Sequence, residues 1–368
     1  MKPNILISMP TQSHVEIAID ELTGLRDLGY NCHAFPYAAK EGFSSALSRF
    51  LVIIKNAFNL IKISNQFKPD IIYFNSRVEF KAGIRDAITI FLVRTFYFKK
   101  VLFMIKSHGS ELDIFESNNY LIKKIVLPFL KKKVAGWLFL SSEEKNKVYQ
   151  LNFFLTEKVF VTKNIVRTKQ FKINPNFRSK HRIPTDHKIL LFVGRVIKEK
   201  GIFEVINAFV KLNTDEKATL IIVGNGSALD AAKESVGQLK LNHKIIFTGF
   251  IPEQDVVEYY SNSDILVFPT VFPEGFPMAL FNSVAAGLSI ITTPTRAATD
   301  FLSEPDNCLW VQPKNSDSVL NALDTLLKSD ELMRSMSINN ILKSELFSQS
   351  QVAKELSLII DKVFQTKT

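Results

Sequence analysis

The sequence has few cysteines and no long apolar run, and both shortages restrict the class of protein. Cys32 and Cys308 are the only cysteines among 368 residues, and they stand far apart in apolar surroundings. This spacing predicts buried free thiols, with neither a disulfide framework nor a metal site. No stretch reaches the roughly 18 uninterrupted apolar residues of a membrane span, since Lys55 and Lys62 interrupt the apolar segment FLVIIKNAFNLIKI.

Two recognisable signals are also absent. The start, MKPNILISMP, passes from one lysine straight into a short strand, without the apolar run and cleavage site of a secretory leader. Gly-x-Gly-x-x-Gly does not occur, which disfavours a dinucleotide-binding site. We therefore expect a cytoplasmic protein, either soluble or peripheral on the inner face of the membrane.

Length and apolar content indicate more than one folded unit. A chain of 368 residues is too long for one ordinary core, and a hydrophobic content of 46 % is ample for burial. Two globular domains are therefore expected, and nothing in the composition indicates disorder.

Short apolar strands alternate with helical patterns along nearly the whole chain. The strand Ile5 to Met9 precedes a helix whose apolar residues recur at three- and four-residue spacing up to Gly29. Strands covered on both faces by helices form parallel sheets. The polar, basic segment Val166 to Pro184 is interpreted as a linker. The pattern thus predicts an α/β fold of two doubly wound domains facing across a cleft, each presenting the carboxyl ends of its strands.

Positive charge is concentrated in the first half of the chain. Residues 1–180 carry a formal charge of +14 and the remainder −4, within a total of +10. The densest stretch, YLIKKIVLPFLKKKVAGW at residues 120–137, alternates lysines with apolar residues. Such a stretch can lie on an anionic membrane surface, or it can be the solvated face of a core helix, and both readings stay open. No nucleic-acid-binding motif accompanies the charge, so we expect no nucleic acid partner.

The segment from Phe268 to Thr293, FPTVFPEGFPMALFNSVAAGLSIITT, is the most informative in the chain. An apolar strand runs into a turn that carries Glu274, and a helix then begins at Pro277 and ends at Gly287. A strand that delivers a carboxylate and free backbone N–H groups to one point makes a site for a polar ligand. A phosphorylated sugar fits this site better than an apolar molecule.

Several further motifs follow one another along the chain. In the first half these are PDIIYFNS, IKSHGSEL, LSSEEK and VTKNIV, and in the second half FVGRVIKEKGIFEVINAF, IIVGNGS and IIFTGFIPEQDVVEYYSNSDILVFPT. Taken in this order, they resemble family 4 of the retaining glycosyltransferases, which have GT-B architecture. FSQSQVAKELSLIIDKVF resembles the family's terminal helix, which crosses back to the first domain. The resemblance implies an acceptor-side domain at 1–170, completed by 350–368, and a donor-binding domain at 185–349.

The resemblance also implies an activity. The family moves a sugar with net retention from a nucleotide diphosphate sugar, so we expect a hexose or N-acetylhexosamine carried on UDP or GDP. The basic first half favours a glycan or polyprenyl-diphosphate-linked acceptor in cell-surface polysaccharide assembly, such as O-antigen or capsule. Two alternatives stay open: an epimerase of sugar nucleotides with the same fold, and a binding subunit with weakened catalysis.

Donor chemistry requires positive charge at the leaving phosphates. Many transferases hold a metal on Asp-x-Asp, but this motif occurs nowhere in the chain, so we predict a site without metal or cofactor. Arg195 and Lys200 follow a Val-Gly turn and can stabilise the phosphates directly. The alternative is that both are surface cations, which is our interpretation of Lys198.

By resemblance, Glu274 is the first carboxylate of the family's pair and holds donor hydroxyls near the reacting centre. The second carboxylate is absent; Asn282 stands eight positions on, and its amide can accept from a ribose or bind a neighbouring side chain. The resemblance assigns donor binding to a wider set of residues: Gly194, Arg195, Lys200, Asn225, Phe250, Ile251, Glu274, Gly275, Phe276, Pro277 and Asn282.

In the first half, His108 ends a strand, where the family places a histidine beside the donor sugar. We predict that His108 acts in catalysis with Glu274, Arg195 and Lys200. Acceptor contacts are assigned to Ser13, His14 and Glu111. A plain helix cap is the alternative for Ser13.

Overall fold

The computed structural model describes residues 2–10, 15–37, 45–108, 112–151, 156–212, 217–238 and 244–366. The chain divides into two units, which we call unit 1 (1–165 and 349–368) and unit 2 (166–348). Each unit contains one six-stranded sheet, and all strand pairs are parallel. The prediction of two parallel α/β sheets is confirmed.

Unit 1 alternates strands and helices from its first residues. Its strands are β1 (Asn4–Met9), β2 (Asn31–Pro36), β3 (Ile71–Ser76), β4 (Leu102–Ser107), β5 (Val134–Phe139) and β6 (Val159–Val161). Its first helices are α1 (Val15–Asp27), α2 (Ala46–Phe67), α3 (Phe80–Phe96), α4 (Asp113–Glu116), α5 (Leu127–Lys133) and α6 (Ser142–Gln150), with one π-helical turn at Ile122–Val126 and a 3-10 turn at Thr156–Lys158. The strand order is β2-β1-β3-β4-β5-β6.

Unit 2 repeats the alternation. Its strands are β7 (Lys188–Val193), β8 (Ala218–Val223), β9 (Ile245–Gly249), β10 (Ile265–Phe268), β11 (Ser289–Thr292) and β12 (Leu309–Trp310). Its helices are α7 (Phe177–Lys180), α8 (Ile202–Lys211), α9 (Leu229–Gln238), α10 (Glu253–Ser261), α11 (Met278–Ala285), α12 (Ala297–Phe301), α13 (Ser316–Leu327) and α14 (Asp330–Ser344), with 3-10 turns at Lys198–Lys200 and Glu345–Phe347. The strand order is β12-β11-β10-β7-β8-β9.

The last helix, α15 (Gln349–Gln365), belongs to unit 1 and not to the unit that precedes it in sequence. Its apolar face, including Leu356, Ile360 and Val363, packs in one cluster with Ile5 and Ile7 of β1. The intervening Leu6 contributes to the core on the opposite face of the sheet. Alternate residues of one strand therefore serve two buried faces, as expected of a parallel sheet that helices cover on both sides.

The segment 166–184, interpreted above as a linker, is part of unit 2. Phe177 is fully buried, and its ring packs edge-on against Tyr259, with 5.5 Å between ring centroids. The Asn174 amide donates to the Glu258 carboxylate at 2.5 Å. Sparse aromatic anchors in a polar stretch give no periodic signal, so this packing could not be predicted from the pattern.

Candidate active site

The strand order of unit 2 brings the predicted donor residues to one point. Taken from β9 to β12, the order matches the 3-2-1-4-5-6 arrangement of dinucleotide-binding folds, whose topological switch lies between β7 and β10. Ligands bind such sheets outside the carboxyl ends of the strands at the switch. Arg195 and Lys200 follow β7, and Glu274 follows β10, so all three emerge at this position.

An ion pair joins the two strand ends. The Lys200 ammonium contacts the Glu274 carboxylate; the lysine is 3 % exposed, whereas the carboxylate side chain is 26 % exposed. Burial lowers the pKa of Lys200, the nearby Glu274 opposes this shift, and Arg195 adds to it. The lysine is thus fixed within the site, while the carboxylate is partly open to solvent.

Arg195 and Lys200 share an aromatic platform. The Arg195 guanidinium lies 4.7 Å from the centroid of the Phe272 ring, and the Lys200 ammonium lies 5.3 Å from the same ring. Cations over aromatic faces are attracted by the ring quadrupole. Because Phe272 is in the turn that carries Glu274, the two cations and the carboxylate form one site, which we call the switch-point site.

Backbone contacts hold this turn against the loop that follows β7. The Glu199 carbonyl accepts hydrogen bonds from the backbone N–H groups of Val271 at 2.8 Å and Phe272 at 3.0 Å. It also accepts one from the Thr270 hydroxyl at 3.3 Å. Since one carbonyl receives three donors, the position of the turn is set before any ligand arrives, which is what electrostatic catalysis requires.

Two glycines allow the loops to approach each other. Gly201 has φ +78°, and a Cβ there would lie 2.5 Å from the Pro269 carbonyl oxygen. Gly224 has φ +138°, and its Cβ would lie 1.9 Å from the Gly194 carbonyl oxygen. Any larger residue would force the loops after β7, β8 and β10 apart, so these glycines maintain the floor of the site.

Three of the other predicted donor residues follow the ends of the neighbouring strands. Asn225 follows β8 and is exposed; its side-chain oxygen accepts from the Gly226 N–H at 2.7 Å, and its carbonyl accepts from Val196 at 2.9 Å. Phe250 follows β9 and is 74 % exposed, and Ile251 is half-buried. All three residues lie at the carboxyl edge of the sheet, on the same side of Arg195 as β8 and β9.

The residues after Glu274 point inward. Gly275, Phe276 and Pro277 are buried. The Phe276 ring stacks on Phe281, with 3.8 Å between centroids, and packs edge-on against Phe347 at 5.7 Å. The Phe276 side chain is therefore part of the core of unit 2, and only its backbone remains for a ligand.

Asn282 lies near a buried tyrosine. Tyr260 is 4 % exposed; burial raises its pKa, and the neighbouring Asn282 side chain opposes this shift. The proximity of Tyr260 offers a partner to an asparagine that is otherwise unfavourable within α11.

Arg296 is a residue that sequence reasoning missed. It follows β11 and donates from Nη1 to the Pro273 carbonyl at 3.3 Å, next to Glu274. Its backbone has φ 39° and ψ −119°, a conformation that suits glycine and costs other residues on the order of 1–3 kcal/mol. The only sequence signal was a cation shortly after a strand end.

His108 lies at the carboxyl edge of the sheet in unit 1. Its Nε2 is 2.8 Å from the Asn75 side-chain oxygen, and its backbone N–H donates to the Ser76 carbonyl at 2.7 Å. An oxygen partner orients the ring and favours a proton on Nε2. The predicted acceptor residues Ser13, His14 and Glu111 lie outside the described residues.

No metal-binding cluster of three or more His, Cys, Asp or Glu residues occurs in the part of the chain that the structure describes. Both cysteines are buried and free. Burial raises the pKa of each thiol to about 12, so neither is poised as a nucleophile.

The fold is shared with solved structures of glycosyltransferases. A glycosyltransferase from Rickettsia africae has a similar structure, with a TM-score of 0.78, 19 % sequence identity and coverage of 98 % of both chains. The two parallel six-stranded sheets with their helices match the GT-B structures, with two Rossmann-like domains.

Sequence comparison identifies the domain in unit 2. Residues 173–343 match the family of glycosyl transferases group 1, so unit 2 carries a domain of this family. An uncharacterised glycosyltransferase, MJ1607 of Methanocaldococcus jannaschii, is 32 % identical over 207 residues, which are 54 % of this chain and 53 % of that protein.

A second relative has an assigned activity. The N-acetylgalactosamine-N,N'-diacetylbacillosaminyl-diphospho-undecaprenol 4-alpha-N-acetylgalactosaminyltransferase of Campylobacter jejuni is 27 % identical over 169 residues, 46 % of this chain and 45 % of that protein. The chain thus aligns with about half the length of each of these two curated relatives.

Proposed function

We propose that the chain is a retaining glycosyltransferase of family 4 that moves a hexose or N-acetylhexosamine from a UDP- or GDP-linked donor. The observation that carries this proposal is the switch-point site, in which Arg195, Lys200 and Glu274 converge at the carboxyl edge of unit 2. Membership of unit 2 in the glycosyl transferases group 1 supports it.

The proposed chemistry follows from the charges. Departure of the nucleotide diphosphate leaves negative charge on the phosphates and positive charge on the anomeric carbon. Arg195 and Lys200 would stabilise the first, and the exposed Glu274 carboxylate would hold sugar hydroxyls beside the second. These groups act without a metal or cofactor in our proposal, and the leaving phosphate would help to deprotonate the acceptor on the same face, which gives retention.

We propose that unit 1 binds the acceptor, a glycan or a polyprenyl-diphosphate-linked glycan of cell-surface polysaccharide assembly. The activity of the Campylobacter relative, which acts on a diphospho-undecaprenol-linked sugar, supports a lipid-linked acceptor. His108, oriented by Asn75, would contact the substrate at the carboxyl edge of this unit.

A thermal-shift screen tests the donor proposal. We expect UDP or GDP to stabilise the protein, because a ligand at 100 times its dissociation constant adds about 2.7 kcal/mol to the free energy of unfolding. Adenosine diphosphate and cytidine diphosphate, which carry the same diphosphate on other bases, are measured for comparison. Stabilisation by none of the four would contradict a nucleotide-sugar site.

Product analysis separates the alternatives. A transferase needs an acceptor, whereas an epimerase converts the donor alone. A binding subunit would hold the nucleotide tightly with neither transfer nor donor hydrolysis.

We also propose peripheral contact with an anionic membrane through a face of unit 1 formed by α2, α3 and α5. Ring contacts join these helices: Phe58 to Phe96 at 5.6 Å and Phe91 to Phe129 at 6.3 Å. Several aromatic side chains on them are exposed, with Phe91 at 57 %. No helix among the described residues is long and apolar enough to cross a membrane.

Lysines border this face. Lys131, Lys132 and Lys133 end α5, and the nearby Arg94 of α3 lowers the pKa of Lys133. Crowding of like charges is unfavourable unless an anionic surface compensates, and each lysine near anionic headgroups contributes on the order of 1 kcal/mol.

Vesicle flotation checks this contact. Replacing Lys131, Lys132 and Lys133 by glutamine should weaken binding to phosphatidylglycerol vesicles by roughly 100-fold. The matched control replaces the exposed Lys211, Lys217 and Lys328 of unit 2, which form surface ion pairs, and should bind as the parent does. Equal flotation of both triple variants, or no preference for anionic lipid, would refute the membrane face.

A further inference from the structure

A polar cluster that does not include His108 lies at the carboxyl edge of the sheet in unit 1. In the order β2-β1-β3, the chain runs from β1 to its neighbour β2 and then crosses to β3 on the other side of β1. The topological switch of the sheet therefore lies beside β1. Tyr37 directly follows β2, and Ser76 ends β3. The two residues therefore flank the position where parallel sheets bind ligands.

Asp86 of α3 organises the cluster from below. Its carboxylate accepts hydrogen bonds from the Tyr37 hydroxyl at 2.7 Å, the Ser76 hydroxyl at 2.5 Å and Arg85 Nε at 2.9 Å. Tyr37, Ser76 and Asp86 are all at least 95 % buried. The carboxylate is thus saturated with donors and turned away from solvent.

Arg85 is the member of the cluster that reaches solvent. Its guanidinium lies 4.4 Å from the centroid of the Tyr37 ring, and Nη2 donates to the Ser76 hydroxyl at 2.6 Å. The side chain is 24 % exposed. Its hydrogen bonds and ion pair engage Nε and Nη2, and the guanidinium stays partly open to solvent, where a ligand could reach it.

The cluster consequently presents a guanidinium that its neighbours hold in place. Three contacts hold the guanidinium in one orientation, so little side-chain entropy remains to be lost on binding. A guanidinium edge matches phosphate oxygens in geometry and charge. The +14 charge of residues 1–180 adds an attractive field for anions.

We propose that Arg85, held by Asp86, Ser76 and Tyr37, binds a phosphate of a diphosphate-linked acceptor. The assignment rests on the proposed transferase function and deepens it, because it names the group by which unit 1 recognises its substrate. Ser76 links the cluster to His108, whose backbone N–H donates to the Ser76 carbonyl. Arg85 and His108 would therefore contact the same substrate.

Binding of three probes tests the site, with the donor site occupied by saturating UDP or GDP. The probes are geranyl diphosphate, geraniol and inorganic pyrophosphate, measured by calorimetry on the full chain. We expect Arg85→Gln to weaken the binding of geranyl diphosphate by at least 10-fold and Arg85→Lys to weaken this binding less. Arg334→Gln, at an exposed arginine on α14 of unit 2, is the control and should change nothing.

The probes also distinguish the source of the phosphate. If Arg85→Gln weakens the binding of pyrophosphate as much as that of geranyl diphosphate, the site recognises the diphosphate alone. If the variant weakens only the binding of geranyl diphosphate, the site requires a lipid-borne group. Either result supports an anion site at Arg85. Unchanged affinity in Arg85→Gln, or no binding of geranyl diphosphate to the parent protein, would overturn the proposal.

Footprinting of the unmodified chain covers the case in which loss of Arg85 prevents folding. Geranyl diphosphate should slow modification of Arg85 by phenylglyoxal, read by peptide mass spectrometry, and geraniol should not. Equal modification with and without geranyl diphosphate would also refute the site. Failure of every nucleotide to bind would instead refute the transferase proposal, so the two failures are separable.

Discussion

Arg195→Ala should reduce sugar transfer by roughly 100- to 1,000-fold, the usual cost of removing one preorganised charge from a transition state. Arg195 is exposed, and its described contact is with the Phe272 ring, so the fold should be unaffected. Lys200 would remain, but Glu274 partly neutralises it. The measurement is turnover with labelled donor, together with UDP or GDP affinity and the melting temperature.

Lys198→Ala provides the control for Arg195→Ala. Lys198 is exposed in the 3-10 turn of the same loop, and sequence reasoning placed it outside the site. Transfer by this variant should equal that of the parent. Near-normal turnover of Arg195→Ala would show that the guanidinium does not stabilise the leaving phosphates.

Glu274→Gln should lower transfer by roughly 100-fold or more, because the amide keeps the shape of the carboxylate but cannot stabilise positive charge at the anomeric centre. The same change removes the one influence that raises the pKa of Lys200, while burial and Arg195 continue to lower it. The pKa of Lys200 should therefore fall further below its ordinary value.

The pH dependence of nucleotide binding reveals this second effect. Binding that needs the Lys200 ammonium is present below the pKa of Lys200 and is lost as the pH rises through it. The alkaline limit of UDP or GDP affinity should thus move to lower pH in Glu274→Gln. Glu199→Gln is the control, since Glu199 holds the turn through its backbone carbonyl and should leave the limit in place. A limit unchanged in Glu274→Gln would exclude Lys200 as the titrating group.

The core of the switch-point site could be predicted because its residues lie close to strand ends. In a parallel sheet all carboxyl ends meet at one edge, so the short separations of Arg195 and Lys200 from β7, and of Glu274 from β10, already placed them together. The resemblance to a known family supplied their proposed roles.

Contacts between distant segments were not predictable in the same way. The side chains of Asn282 and Tyr260 come near each other from two helices, and the contact of Arg296 with Pro273 joins two loops. The inward stacking of the Phe276 ring on Phe281 depends on how α11 packs. Each depends on a side-chain direction that only the assembled unit determines.

The amino-acid sequence alone determined the parallel α/β layers and the strand ends from which the switch-point residues emerge. The spacing of apolar residues and the length of each strand are local properties of the chain. Only tertiary structure decided that residues 166–184 belong to unit 2 and that Arg85, Asp86, Ser76 and Tyr37 form one cluster. These outcomes depend on pairs far apart in the chain, whose contact energies appear only once both partners are buried together.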